Sequence, residues 1–588
     1  MSNILLVTTS LEQTWKTPGQ IIFLGHWCNR YNNTKKLDDK KFTILDYQWN
    51  DRQKLFKDYK YLKSLNDKLI KKLTNELNKY HGTNFSERYW KIIIGPWLIT
   101  FIQIVFERYE NLNNLFKTKK VDETIIAKID PIKMVPDNYE KFTRLTLTHT
   151  WNHFIYSLIL KSDYFKFDIE KRYHEFINEE RYEDYLRPKN VSKINKIYES
   201  ILKIFKKINS NEEVLISESY LGIIDEIKLC LKFKTLPRFD TSYYLPNSKT
   251  NENRDKIDLN YDCKNIFEKF ICKLIPQQIP KSILEDFDET RIKSKEMNWP
   301  EKPKLIFTSH IMPKTLQCMY VAEKMEKFGT KLIHGQHGGV YGQYLFTSMQ
   351  DYELDVCDKY LSWGWNLPNN NKILPFGIIK NLNKFKFNKK KAKNLLMVLM
   401  SRNPYTHRLN SYSGTNQIAK YQEDNINFCK KLDNNILEKF LTLRLHARKF
   451  GWNEESVFKS QFPKVKIDNG FSTMHELLNK SRLVLHTYVG TGYLETLASN
   501  FPTVVFANLD ECLVNEETKE YLKVLEKVKI FHQNYSSAAE FINDNWKNIE
   551  EWWNNDETQE ARIFFCERFA KINENKVNKL FKVINNQK

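Results

Sequence analysis

The chain has 588 residues, 41% hydrophobic and 14% aromatic, a composition typical of a folded protein with large cores. Disorder as the main state is therefore excluded, and the length predicts two or three domains. The nine cysteines include no Cys-x-x-Cys pair, which fits a reducing compartment and argues against a structural zinc site or a disulfide framework.

The formal net charge of +20 comes mostly from lysines spread along the chain. Nucleic-acid binders usually cluster basic residues around a recognisable motif, and we find none, so no nucleic-acid partner is expected. One dense basic run spans residues 384–393. It is interpreted either as a solvated linker or as a contact with an anionic membrane surface or an acidic glycan.

No secretory signal is visible at the amino terminus. The longest apolar stretch, residues 92–106, contains Pro96 and Gln103, so it predicts a buried helix rather than a membrane span. These features predict a cytoplasmic protein, with peripheral contact at the inner face of the membrane as a further expectation.

The amino-terminal part predicts an α/β domain over residues 1–383 that is interrupted by a large helical insertion at about 50–290. Its expected strands are residues 4–8, 20–25, 303–309, 331–334 and 359–363. A long helix is expected at residues 314–328.

After the basic run, the pattern restarts with an apolar strand at residues 394–400 and predicts a second α/β domain over residues 394–545. Further elements are expected at residues 417–432, 440–445, 465–467 and 473–479. Residues 546–588 form the predicted tail, with one long helix from residue 550 onward.

Within the second domain, residues 483–507 predict a strand, a tight turn, a helix at 493–499 and another strand. Glycines where a parallel strand meets a helix leave backbone N–H groups free for a phosphate. Glu495, expected in the first helical turn, would accept hydrogen bonds from a sugar hydroxyl or would only cap the helix if Gly492 is its N-cap.

Two further loops of this domain predict anion binding at the same sheet edge. Strand alternation places Arg444, His446 and Arg448 on one side of the strand. Three cationic side chains on one face would bind a diphosphate, or the face would only be exposed to solvent. The first strand ends at Ser401 and Arg402. The predicted donor-binding set is Ser401, Arg402, Arg444, His446, Arg448, Thr487, Gly490, Thr491, Gly492 and Glu495.

In the first domain, residues 334–342 place two histidines in a glycine-rich turn after a predicted strand. His337 is the candidate general base and His334 the second candidate. A structural turn is the alternative, and a zinc site is disfavoured because no third ligand follows at suitable spacing.

Other residues are predicted on the acceptor side of this site. They are Gln336, Gly338 and Gly339 in the turn itself, and Glu12 after the first strand, a residue that is also the third candidate for the catalytic base. Glu12 is also compatible with an ordinary polar loop.

In residues 6–15, 88–97, 334–339 and 490–497 the chain resembles a bacterial family of transferases assigned to surface-carbohydrate biosynthesis. More loosely, it is similar to GT-B glycosyltransferases, which implies a GT-B-like pair of Rossmann-type domains with the tail packing back on the first domain. The His-Gly motif is similar to one in teichoic-acid polymerases, where a histidine is the base. That role would fall on His337, with His334 second.

The resemblance implies transfer of a sugar from a nucleotide-sugar to a glycan or lipid-linked glycan acceptor, a precursor of cell-surface polysaccharide or lipopolysaccharide. The Glu-x7-Glu pattern of retaining enzymes is absent around Glu495, which favours inversion. The Asp-x-Asp at residues 286–288 lies in a helical stretch, so neither a metal nor another cofactor is expected. The alternatives are a CDP-polyol-dependent polyol-phosphate transferase and a non-catalytic glycan- or nucleic-acid-binding protein.

Overall fold

A computed structural model of the protein describes residues 3–15, 19–29, 42–175, 213–238, 246–297, 299–310, 314–382, 392–412, 414 and 417–588. Of the basic run predicted at residues 384–393, all but Ala392 and Lys393 lie outside these residues.

Three parallel sheets organise the described residues, which confirms the predicted α/β class. The first sheet has the strand order β3-β2-β1-β4-β5. Its strands are β1 (Ile4–Val7), β2 (Gln20–Phe23), β3 (Phe42–Ile44), β4 (Glu123–Ala127) and β5 (Glu170–His174).

The second sheet has the order β10-β9-β8-β7-β6. Its strands are β6 (Val214–Ile216), β7 (Leu305–Thr308), β8 (Lys331–Gly335), β9 (Lys359–Ser362) and β10 (Ile373–Pro375). The third sheet has the order β13-β12-β11-β14-β15-β16. Its strands are β11 (Asn394–Val398), β12 (Leu441–Arg444), β13 (Lys466–Asp468), β14 (Ser481–His486), β15 (Thr503–Phe506) and β16 (Phe531–His532).

The helices cover the faces of these sheets, as parallel crossover connections require. Those before the third sheet are α1 (Arg52–His81), α2 (Glu87–Thr118), α3 (Tyr139–Leu145), α4 (His149–Lys161), α5 (Ile223–Phe233), α6 (Ile266–Gln278), α7 (Phe287–Lys295), α8 (Thr315–Phe328) and α9 (Ser348–Val356). Those after its first strand are α10 (Ile418–Lys431), α11 (Asn434–Lys439), α12 (Glu454–Gln461), α13 (Met474–Leu478), α14 (Thr491–Ala498), α15 (Glu516–Lys527), α16 (Tyr535–Asn545), α17 (Ile549–Asn554), α18 (Asp556–Phe569) and α19 (Lys576–Asn585).

The two ends of helix α1 are determined by capping residues in the local sequence. Its N-cap Asp51 accepts hydrogen bonds from the backbone N–H groups of Gln53 and Lys54, and Gly82 ends it in the left-handed region at φ 63°. Between the caps one apolar face is buried, and it includes Leu62, Leu65, Leu69 and Leu73.

Helix α2 contains the apolar stretch predicted to be buried. It is long and apolar enough to cross a membrane, but 89% of its most apolar window is buried within the protein. This confirms the expectation of a core helix for residues 92–106.

The prediction of a helical insertion at about 50–290 is wrong in part, because strands β4, β5 and β6 lie within it. Strands β4 and β6 have only five and three residues, so hydrophobic periodicity cannot distinguish them from helix. Residues 1–383 therefore contribute to two sheets, and the predicted domain boundaries remain a prediction.

The tail, predicted as one long helix, contains the separate helices α17, α18 and α19. Asn555 is extended where α17 ends, and Asn575, at φ 58°, precedes α19. Leu580 and Ile584 of α19 are buried in the core of the second sheet, so the end of the chain packs beneath β6 to β9.

Candidate active site

A cavity of about 590 Å³ opens at the carboxyl edge of the third sheet. Strand β11 pairs with β12 on one side and β14 on the other, so the chain reverses its direction of winding at this point. Ligands of open α/β sheets bind in such a crevice. Predicted donor-site residues that line it are Arg444, His446, Arg448, Gly492 and Glu495.

The turn into α14 differs from its prediction by two residues. Gly490 is the N-cap and the helix begins at Thr491, so Glu495 lies beyond the first turn and the expected capping role is wrong. Instead, Glu495 Oε1 lies 2.7 Å from Lys380 Nζ, and both side chains line the cavity. A side chain at Gly492 would come within 2.8 Å of the His486 ring, so only glycine fits there.

Arg444 lies at the cavity wall but is already paired. Its Nη1 donates to Asp468 Oδ1 at 2.7 Å and to the Ser472 carbonyl at 2.8 Å. Asp468 also accepts a hydrogen bond from the backbone N–H of Gly470 at 2.9 Å. Arg444 therefore holds the loop after β13, and its charge is largely balanced before any anion binds.

His446 and Arg448 reach the cavity from the loop that follows β12. The strand ends at Arg444, so the alternation predicted for all three cationic residues stops there. The His446 Nδ1 accepts a hydrogen bond from the Arg448 backbone N–H at 3.1 Å, which makes a tight turn. Among the described residues, the exposed Arg448 guanidinium forms no ion pair, so its charge is available to a ligand.

Five predicted donor-site residues do not line this cavity: Gly490 and Thr491 at the start of α14, and three residues that follow strands, namely Ser401, Arg402 and Thr487. Ser401 Oγ donates to Glu454 at 2.5 Å, and the Arg402 guanidinium lies over Tyr412, 4.4 Å from its ring centroid. Thr487 is buried and its hydroxyl donates to the Val398 carbonyl at 3.0 Å. Ser401, Arg402 and Thr487 follow strands at the carboxyl edge of the third sheet, as predicted. Their side chains, however, contact other residues of the protein and do not face the cavity.

The second site lies at the carboxyl edge of the second sheet, where β8 leads into the histidine turn. His334, within β8, is fully buried, and its ring is nearly parallel to that of Tyr360, with centroids 5.7 Å apart. His337 follows the strand and keeps 27% of its side chain exposed. The structure thus separates a core histidine from an accessible one.

Glu353 of α9 joins these two histidines. Its Oε1 lies 3.7 Å from His337 Nδ1, and its Oε2 lies 3.6 Å from His334 Nδ1. The hydroxyls of Tyr341 and Tyr360 donate to the same carboxyl group at 3.2 and 3.1 Å. Sequence reasoning missed Glu353, because a single acidic residue on an amphipathic helix gives no signal of its partners.

Burial shifts the protonation of this cluster toward neutral groups. It raises the pKa of Glu353 to about 8 and lowers the pKa of His337 to about 3. The pKa of His334 is also well below its usual range, first because of burial and then because of His337 and His310. At neutral pH both imidazoles are uncharged, the state in which a histidine can accept a proton.

Loops after β6 and β7 complete the surroundings of His337. Its ring centroid lies 5.2 Å from that of His310 and 6.1 Å from that of Tyr220. Tyr220 and Glu218 have positive φ values of 64° and 48°, and Val340, after the histidine turn, has φ 76°. Left-handed backbone at a β-branched residue is strained, and such strain clusters at functional sites.

Gln336, predicted on the acceptor side, stabilises the histidine turn through hydrogen bonds of its side chain. It is buried, and its amide oxygen accepts hydrogen bonds from the Trp363 backbone N–H at 2.8 Å and the Trp365 indole at 2.7 Å. Its amide N–H donates to the Gly338 carbonyl at 2.7 Å. The side chain therefore fixes the conformation in which His337 is presented.

The glycines of the turn connect the two sheet edges. The Gly339 backbone N–H donates to Thr491 Oγ1 at 2.9 Å, and a side chain at Gly339 would come within 2.8 Å of the Thr491 Cα. At Gly338 an added Cβ would lie 3.2 Å from Thr491 Oγ1. The two glycine-rich motifs found in the sequence thus contact each other, and Gly338 and Gly339 serve this junction.

The remaining predictions concern Glu12 and metals. Glu12 is exposed in the short 3-10 helix Glu12–Trp15 after β1, an element of the first sheet, and lines neither site. Asp286 precedes α7 and Asp288 lies in its first turn with 85% of its side chain exposed. In the described part of the chain, no group of three or more His, Cys, Asp or Glu side chains is arranged to hold a metal ion.

The sequence model described as "LIC12162 family transferase" matches residues 4–584 of this chain. No curated protein matches this chain. It is similar to the solved structure of the wall teichoic acid polymerase TagF, with 12% identity over 67% of this chain and 96% of that one and a TM-score of 0.32. It is also similar to a glycosyltransferase from Rickettsia africae ESF-5, with 13% identity over 64% and 99% of the chains and a TM-score of 0.33.

Proposed function

Because the chain belongs to the LIC12162 family of transferases, we propose that it moves a sugar from a nucleotide-sugar donor to a precursor of cell-surface polysaccharide or lipopolysaccharide. The observation that carries the proposal is the contact between Gly339 and Thr491. It joins a cavity of nucleotide size to the turn that presents an accessible, neutral histidine. We place this reaction in the cytoplasm.

The donor occupies the cavity of the third sheet. Its diphosphate lies against the amino-terminal end of α14, where backbone N–H groups and the helix dipole favour an anion. Arg448 supplies a full positive charge at the same cavity. Glu495 and Lys380, paired at 2.7 Å, are positioned for hydroxyl groups of the sugar or ribose.

The acceptor hydroxyl reacts at His337. The imidazole takes the hydroxyl proton while the oxygen forms a bond to the anomeric carbon, and the bond from that carbon to the diphosphate oxygen breaks. One displacement of this kind inverts the anomeric configuration. Arg448 and the N-terminus of α14 stabilise the charge of the leaving diphosphate, the role that a metal ion has in other transferases.

The first step of the test is a thermal-shift screen that identifies which nucleotide binds. Turnover of sugar donors that carry this nucleotide is then measured. Release of a nucleoside diphosphate together with a glycosylated acceptor supports the proposal. Release of a nucleoside monophosphate from a CDP-polyol would replace it with polyol-phosphate transfer. Binding without turnover of any donor would assign the chain to the non-catalytic glycan binders.

A further inference from the structure

A second cavity, of about 860 Å³, adjoins the donor cavity. It lies between α5 and α19 on one side and the carboxyl end of α14 on the other. The residues that line both cavities are Lys380, Asn381, Leu382 and Ser499. A ligand in this larger cavity, called here the α5 cleft, therefore borders directly on the donor.

The lining of the α5 cleft is cationic. Among the described residues, its charged side chains are Lys228, Lys232, Lys380 and Lys576 against a single acid, Asp225. Asp225 lies 3.3 Å from Lys228 Nζ and 3.9 Å from Lys576 Nζ, and Lys380 is paired with Glu495 of the donor cavity, so these two acids balance only part of the charge. The cleft thus favours a ligand that carries negative charge.

The outer rim of the cleft is apolar. Ile224 and Leu231 of α5 are 70% and 71% exposed, and Ile572, before α19, is 51% exposed. Leu231 and Ile572 line the cleft beside Lys228 and Lys232. Large apolar side chains next to lysines on one helix are typical of a surface that meets the boundary between lipid headgroups and acyl chains.

The start of α5 connects the neighbourhood of the cleft with that of the candidate base. Tyr220, whose ring centroid lies 6.1 Å from that of His337, is two residues before the N-cap of α5. That N-cap, Gly222, is so close to the cleft that an added Cβ would lie 3.2 Å from Asn381 Nδ2. Helix α5 therefore extends from the cleft to the segment beside the histidine turn.

We propose that the α5 cleft is the acceptor-binding site and that the acceptor is carried on a lipid through a phosphate group. The lysines of α5 bind the phosphate, Leu231 and Ile572 contact the lipid chain, and the glycan extends inward toward His337. The assignment rests on the proposed function, since only a transferase needs an acceptor beside its donor.

The test is calorimetric titration of the full chain with dodecyl phosphate, below its micelle-forming concentration, as a short lipid phosphate. Dodecyltrimethylammonium and inorganic phosphate serve as comparison ligands. The variants are Lys228→Ala/Lys232→Ala, which removes charge, and Leu231→Asn, which removes the apolar contact. The matched control is Lys519→Ala/Lys523→Ala on α15, a pair of exposed lysines with the same spacing.

We expect dodecyl phosphate to bind the wild type and the control equally, and to bind both α5 variants at least about tenfold more weakly. The proposal would be overturned if the wild type does not bind dodecyl phosphate, or if all variants bind it equally. It would also be overturned if the wild type binds dodecyltrimethylammonium or inorganic phosphate as tightly as dodecyl phosphate. A nucleotide titration of the same samples tests the donor cavity separately. If nucleotides fail to bind, the proposed function is at fault, whereas normal nucleotide affinity with unchanged dodecyl phosphate binding removes only the acceptor assignment.

Discussion

The carboxyl edges of the second and third sheets are built on opposite principles. At the second sheet, His334 and Glu353 are buried among tyrosines, and burial keeps the acid protonated and the imidazoles neutral. At the third sheet, Arg448 and His446 stay exposed around an open cavity. A histidine accepts a proton only in its neutral state, whereas diphosphate binding needs a positive charge that is already present.

The two edges also differ in what their glycines do. Gly492 makes room for His486 inside one domain, whereas Gly339 lets the histidine turn approach Thr491 of the facing element. The first glycine is needed for local packing and the second for the junction. Variants at the two edges should therefore affect different measurable quantities.

The largest expected effect is at the second sheet. His337→Asn should lower turnover by about 10²–10⁴-fold, the range of acid–base catalysis, and leave donor affinity nearly unchanged. The measurements are kcat and nucleotide Kd on the same preparation.

His334→Asn is the matched variant, because His334 shares Glu353 with His337 but is fully buried. We expect it to reduce thermal stability more than His337→Asn does. If His337→Asn keeps normal turnover while His334→Asn is inactive, the two roles are reversed. If both keep it, the histidine turn is structural and the base lies elsewhere.

The next effect is at the third sheet. Arg448→Ala should weaken nucleotide binding by about 1.5–3 kcal/mol, measured by calorimetry, and Arg444→Ala should weaken it less, because the charge of Arg444 is already paired with Asp468. They should differ in stability, because Arg444 bridges Asp468 and the Ser472 carbonyl whereas Arg448 is exposed. Wild-type nucleotide affinity in Arg448→Ala would show that the diphosphate lies elsewhere.

A control for Arg444 is Asp468→Asn, which removes the partner charge and leaves the arginine. If Arg444 only supports the loop after β13, both variants should lower Tm and change nucleotide affinity to the same extent. If its charge also reaches the donor, Asp468→Asn should bind nucleotide at least as tightly as the wild type.

A smaller effect concerns the pH dependence of stability. The pKa of Glu353 is raised from 4.5 to about 8 in the folded protein, so the native state holds a proton that the unfolded chain releases. Its contribution to stability is complete below pH 4.5 and is lost as pH rises toward about 8. Glu353→Gln carries no such proton, so the Tm of the wild type relative to this variant should fall over that range. A difference in Tm that is independent of pH would mean that Glu353 is ionised in the native state.

The smallest expected effect is that of chelation. The cationic groups of the third sheet stabilise the leaving diphosphate in the proposed reaction, so activity should persist in EDTA. The measurement is initial rate before and after chelation. Loss of activity that magnesium or manganese restores would assign the charge-stabilising role to a metal.

Short-range patterns predicted a large part of the fold. The sequence predicts the β14–α14–β15 unit to within three residues at each boundary, because β-branched runs and glycines act locally. The start of α14 was misplaced because glycine is unfavourable within helices, yet Gly492 is helical since His486 packs against it.

The candidate site could be predicted only in part. Histidines in a glycine-rich turn are visible in sequence, and so is a cationic loop after a strand. Glu353 could not be found, because it contacts His337 only when α9 packs beside β8. For Arg444 the sequence predicts a contact with the diphosphate, but the side chain is paired with Asp468. That pairing depends on the register of β12 and β13 and is not visible in the sequence.

By itself, the sequence determined the class of fold, the caps of helices such as α1, and which loops carry histidine, arginine and glycine. These properties depend on residues that are close together along the chain. The tertiary structure decided which of those residues are in contact. Glu353 lies beside both histidines, Arg444 is paired with Asp468, and Gly339 is hydrogen-bonded to Thr491. Contacts between distant segments depend on how sheets and helices pack, and no local pattern contains that information.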